Sequence, residues 1–207
     1  YTENVIVTYD ADEESYALST TFPTEQPYAS NASFAQNVSP MVAATKNKGS
    51  YAFMFKNIAS WVNLYVKGSA KITKVVMKAA NDDIAGDYIV TVKNGIDPIA
   101  TINENGTSVK EITIDCGENG IQLSKDEATI FTFTTIPFEF DANEVSFDIY
   151  GEGVYMKDAY IIKKAGSFLR SNFHGISQNS PIEFLPNSVV EGETVQAILK
   201  GKGYPTI

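Results

Sequence analysis

From Trp61 to Val66 the chain alternates: Val62, Leu64 and Val66 form one apolar row, and Trp61, Asn63 and Tyr65 the other. A period of two marks a strand with one face buried. Val145, Phe147 and Ile149 repeat the pattern against Ser146, Asp148 and Tyr150, and Phe131 and Phe133 repeat it between threonines. The alternation predicts an initial strand at 4–9, short pieces around 16–20, and strands at about 51–57, 60–67, 70–79, 84–93, 98–103, 109–116, 128–136, 145–150 and 154–163. The gaps carry Asn-Gly, Gly-Glu-Asn-Gly and Gly-Glu-Gly, which supply the positive φ of tight reversals. One capped helical turn is expected near 124–128, where Ser124 precedes Lys-Asp-Glu.

Strands recurring every ten or so residues, with almost no helical periodicity, predict an all-β sandwich of about seven to nine strands in a Greek-key arrangement. Val62, Leu64, Phe131, Phe133, Val145 and Phe147 are its expected core. The sandwich is assigned to 1–164, with an irregular part over 1–50 after the initial strand. Residues 165–207 read as a C-terminal extension: a loop or linker rich in Gly, Pro, Ser and Asn, then a strand over 189–200.

Composition narrows the function. The 207 residues include 43% apolar ones and carry a net charge of −9. That charge argues against nucleic acid and anionic membrane surfaces. Arg170 is the sole arginine, so bidentate clamps for phosphate or carboxylate are scarce. No apolar run is long enough to cross a bilayer, and no signal-like segment opens the chain at Tyr1, so export implies a leader already removed.

Catalytic chemistry finds little support. His174 is the only histidine and lies in a turn-like Asn-Phe-His-Gly without a neighbouring acid. Cys116 is the only cysteine, which excludes an intrachain disulfide, and with one His the usual zinc set is missing. Glu139 and Asp141 could share a strand face as a carboxylate pair. Asn81-Asp82-Asp83 with Asp87 offers oxygen ligands for calcium but lacks the spaced calcium-loop pattern. No catalytic, metal or cofactor site is therefore assigned, and no enzyme activity is expected. Tyr150, Tyr155 and Tyr160, around the Gly151-Glu152-Gly153 turn, are the candidate ligand contacts, because exposed tyrosine rings can stack on sugars.

The run Ser39-Pro40-Met41-Val42-Ala43, then 53–68 (FMFKNIASWVNLYVKG), 71–79 (KITKVVMKA) and 84–88 (IAGDY), resembles the fimbrillin-like pilus and adhesin proteins of Bacteroidetes. Thr135-Ile136-Pro137 and the segment 168–176 echo the same family. The resemblance implies transthyretin-like sandwich domains in an exported subunit at the outer membrane or fimbrium, active in pilus assembly or cell adhesion. It implies partners bound through edge strands: other subunits, or host or bacterial surface glycans and proteins. An unpaired strand edge can accept another chain's strand, and 4–9 and 189–200 are the ends where such exchange is expected. The alternative is a non-catalytic glycan-binding sandwich of a surface polysaccharide-uptake system.

Overall fold

The computed structural model describes residues 7–11, 15–43, 54–93 and 96–184. Within them the protein is all-β, with nineteen strands. In chain order the first five are β1 (Val7–Asp10), β2 (Ser15–Phe22), β3 (Glu25–Pro27), β4 (Met41–Val42) and β5 (Lys56–Asn57). Three long strands follow: β6 (Ser60–Gly68), β7 (Lys71–Ala79) and β8 (Ala85–Lys93). Then come β9 (Ile99–Ile102), β10 (Ser108–Val109), β11 (Glu111–Asp115), β12 (Ile121–Gln122), β13 (Thr129–Thr135) and β14 (Phe138–Phe140). The last are β15 (Val145–Gly151), β16 (Val154–Ile161), β17 (Gly166–Phe168), β18 (Phe173–Ile176) and β19 (Ile182–Phe184).

A six-stranded sheet has the order β16-β15-β7-β11-β3, with β12 also on β7. A four-stranded sheet has the order β13-β6-β18, with β19 also on β6. The inner rows of the two meet as a sandwich: Phe133 on β13 and Phe147 on β15 lie 5.7 Å apart between ring centroids. Val62, Leu64, Phe131, Phe133, Val145 and Phe147 are all fully buried, as their alternation requires. Each such side chain contributes about 2 kcal/mol of burial. A five-stranded sheet, β1-β2-β8-β10 with β9 on β8, adds Phe22, Tyr88, Val90 and Val92 to the same core.

Side chains also stitch strands together. Gln26 on β3 is buried; its amide donates to the Thr134 carbonyl at 2.7 Å and its carbonyl accepts the Thr134 N–H at 2.9 Å. One glutamine thereby satisfies both backbone groups of a β13 residue on the side that β6 does not cover.

Three expectations change. Residues 165–184 do not lead away from the sandwich as a linker. β17 pairs with β14, and β18 and β19 run parallel to β6 along its two halves. The second pairing depends on Gly68, where an added Cβ would sit 1.9 Å from the Phe184 carbonyl oxygen. The helical turn at 124–128 does not form, although its cap does: Ser124 Oγ accepts the N–H groups of Asp126 and Glu127. The carbonyls a helix would use are taken instead by the end of β6, Ser124 by the Gly68 N–H and Asp126 by Lys67 Nζ. The pieces near 16–20 become one eight-residue strand, β2, paired along its length with β8. The strand expected over 189–200 lies outside the described residues.

Candidate functional site

Two surfaces hold the residues that could meet a partner. The first is the outer face of the six-stranded sheet, where the candidate tyrosines were placed. Tyr150 on β15 is directly opposite Tyr155 on β16, and their rings stack at 4.4 Å. On the other side of β15, Lys74 is in register with Tyr150 and sets its ammonium 4.1 Å from the ring centroid. The Tyr150 ring is thus covered on both faces, by a phenol and by a cation.

Beside this stack lies Asp148, only 4% exposed. Its Oδ2 accepts from Lys78 Nζ at 2.9 Å and from the Tyr155 hydroxyl at 3.0 Å. Its Oδ1 accepts the Asp158 N–H at 2.8 Å. A bulge makes the last bond: Phe147 pairs with Tyr160 and Ile149 with Met156, so Lys157, Asp158 and Ala159 all oppose Asp148. Asp158 takes φ +48° there, which turns its amide toward the carboxylate. Partial burial pulls the Lys78 ammonium down, but the bond and charge of Asp148, with Asp158 behind it, outweigh burial and raise it above its ordinary value. Burial first, then Tyr150 and Asp148, holds the Tyr155 phenol well above its usual value.

Tyr160 does not join the other two tyrosines. It opposes the buried Phe147 and packs against the core. Directly opposed residues share a face, so Tyr160 points into the sandwich while Tyr150 and Tyr155 point out.

The second surface was not anticipated from the sequence. It centres on Asp97, whose Oδ1 meets Lys56 Nζ at 3.1 Å and whose Oδ2 meets Arg170 Nη2 at 2.6 Å. Lys56 also donates to the Ile96 carbonyl, and Arg170 to the Asn57 carbonyl. Hydrogen bonds from Lys56 and Arg170 lower the Asp97 carboxyl below its ordinary value. This junction ties together three segments far apart in sequence, and each brings apolar side chains into water. Met54 is 82% exposed, Phe55 63%, Leu169 55% and Ile96 54%. Met41 on β4, beside β5, and Phe173 on β18 extend the ridge. The other exposed large apolar residues, Tyr16, Ile99 and Ile102, all lie on the five-stranded sheet. Among the described residues, no large exposed hydrophobic sits on the six-stranded sheet.

Trp61 anchors the ridge from below. It is buried between Phe34, stacked at 5.1 Å, and Phe173, stacked at 4.7 Å. The one tryptophan is therefore a support for Phe173 and not an open stacking platform.

Several of the remaining polar candidates make bonds within the fold. His174 Nε2 accepts the Leu169 N–H at 2.9 Å, which holds the turn before β18. Burial, with Asp115 adding, pushes the Cys116 thiol up to about 12, so it stays protonated in the interior. Asp87 accepts from the Thr107 N–H and the Thr21 hydroxyl, and Asp83 from the Ser108 hydroxyl. Glu139 and Asp141 line an open depression with Glu144, whose Oε2 accepts the Asp141 N–H at 2.7 Å and whose Oε1 accepts from Asn81. Among the described residues, no group of three or more His, Cys, Asp or Glu is arranged to hold a metal ion.

Compared with protein-family models and with curated protein sequences, the chain matches none.

Proposed function

We propose that this protein is an exported structural or adhesive subunit of the cell surface, of the fimbrillin-like kind, that works by contact and performs no catalysis. The reading carries with it the transthyretin-like, Greek-key connectivity of that family. One observation supports it above the others: around Asp97 six large apolar side chains stand in water, on segments of which three are tied together by two ion pairs and one is backed by Trp61. Exposed apolar patches on soluble domains mark contact sites for protein. The partner that suits this ridge is another subunit or a surface protein.

The glycan-binding alternative draws on Tyr150 and Tyr155. Both faces of Tyr150 are occupied, so a sugar ring would have to displace Lys74 or part the two phenols.

The test is cellular. The chain is expressed in a bacterium with a fimbriated surface, and surface exposure, adhesion and polymer ladders on denaturing gels are scored. Phe55→Ser with Leu169→Ser is expected to reduce adhesion or laddering while the protein still reaches the surface, and trimming 1–9 or 189–207 to reduce laddering. A protein retained inside the cell, or one whose adhesion and assembly ignore all of these changes, sinks the reading. Specific glycan-array binding lost in Tyr155→Ala selects the alternative.

A further inference from the structure

Among the described residues, the short strand β9 has no strand paired with its outer side. It pairs with β8 on one side, Tyr88 with Ile102 through Thr91 with Ile99. The Asn103 N–H donates to the Asp87 carbonyl at 3.0 Å, which fixes the phase of this antiparallel ladder. Counting along from that pair, Thr101 and Ile99 direct their amides and carbonyls at β8, and Ala100 and Ile102 direct theirs away from it. The outward groups belong to a strand that has no charged residue, no proline and no bulge, and whose Ile99 and Ile102 are 61% and 46% exposed. Edges that stay single are often shortened or carry lysine, proline or a bulge, and of these β9 has only its shortness.

The geometry points to β9 as a self-pairing edge, which joins two copies of this chain by an antiparallel β9–β9 ladder about a two-fold axis at Thr101. The phase of the outward groups sets the register. Ala100 of each copy faces Ile102 of the other, so both outward-facing pairs exchange hydrogen bonds, and the two Thr101 residues meet across the axis. Side-chain fit follows: a small residue beside a large one on one face, and a Thr–Thr pair on the other. Local charge does not bar a second copy in this register. Each chain carries −9, yet continuing this register sets Asp97 against Asn105 and Glu104 against Pro98, so no two acids face each other. The strand alone offers less than the roughly 800 Å² per partner of a standard interface, so the dimer is reversible and concentration-dependent. It rests on the backbone of β9, which adjoins Ile96 and Asp97 of the ridge, and not on the apolar side chains that support the proposed function.

The experiment is sedimentation of the full chain over a concentration series, together with a cross-link. Ala100→Pro removes only an outward N–H, and Ile102→Lys adds an edge charge; each is expected to weaken dimerisation by about tenfold or more. Thr101→Cys places two thiols opposite each other in a non-hydrogen-bonded pair and is expected to give a disulfide dimer under mild oxidation. Lys125→Cys, exposed near the end of β6, is not. Cys116 is buried and does not compete. A monomer at every concentration overturns the proposal. So does a dimer unmoved by Ala100→Pro and Ile102→Lys, or cross-linking of Thr101→Cys no faster than of Lys125→Cys. A dimer that appears only when residues 185–207 are removed also overturns it, because the chain's own tail then holds the edge. Phe55→Ser with Leu169→Ser leaves the dimer unchanged, so failure of the ridge and failure of the edge are read separately.

Discussion

The outer face of the six-stranded sheet and the ridge around Asp97 use similar residues to opposite ends. Each has aromatic rings, lysines and acidic groups. On the sheet, Tyr150 is covered on both sides, and Asp148 is buried under three donors. On the ridge, Asp97 is 66% exposed at its side chain and the rings beside it stand in water. Geometry explains the difference. Adjacent long strands hold side chains in register, about 5 Å apart, so they satisfy one another. Loops that converge from distant parts of the chain have no such ladder, and two ion pairs fix the backbone while leaving apolar side chains uncovered. Tyrosine in a sequence is therefore a weak sign of a binding face when a neighbouring strand supplies its partner.

The comparison breaks most sharply at Asp148. Asp148→Ala strands the Lys78 ammonium and the Tyr155 hydroxyl, and is expected to cost about 3 kcal/mol in urea unfolding. A loss below about 1 kcal/mol would mean the network is wet and loose. Replacing Lys78 by Met together with Asp148 by Leu is expected to recover most of that loss. A smaller effect is expected from Tyr155→Phe, which removes one hydrogen bond to a carboxylate and should cost about 1.5 kcal/mol. An unchanged unfolding midpoint would show that the phenol bonds water equally well.

Acid and base should divide the two surfaces. Lys78 is raised in the folded state, so its contribution is complete below 10.5 and is lost as the pH rises through the raised value. Asp97 is lowered, so its contribution is present above 3.8 and is lost as the pH falls through the lowered value. Unfolding midpoints measured from pH 2 to 12 should show the alkaline loss shrink in Lys78→Met, the remainder belonging to the raised Tyr155 phenol and Cys116 thiol, and the acid loss shrink in Asp97→Asn. Added salt should mask the Asp97 effect first, because exposed pairs are screened. If the alkaline arm is no smaller in Lys78→Met than in the parent chain, the pair does not contribute to it. The smallest stability effect belongs to the ridge: Phe55→Ser and Leu169→Ser should each change unfolding by less than about 0.5 kcal/mol. A large loss there would mean that these side chains pack against something in the folded chain and are not a contact surface.

Much of the sandwich was legible because its strands are long and alternate strictly. The expected strands at 60–67, 70–79, 84–93 and 145–150 fall within a residue or two of β6, β7, β8 and β15. The same alternation separates Tyr155 from Tyr160, which stand five apart on one strand and so on opposite faces, yet proximity to the turn had grouped them. What was hidden depended on distant partners. β18 and β19 are short and rich in polar neighbours, and become strands only because β6 offers them an edge more than a hundred residues away. Ser124 carried a correct capping signal, and the end of β6 took the carbonyls that the helix needed.

By itself the sequence determined the layers. A period of two with Val, Ile and Phe on one side leaves a chain no better way to bury that side than a second sheet. The tertiary structure alone decided which polar groups are spent and which surfaces stay open. Asp97 and Lys56 carry no signal in the sequence, Arg170 stands out there only as the sole arginine, and β9 reads like any short strand. Their roles come from contacts and missing contacts between segments that local patterning cannot bring together.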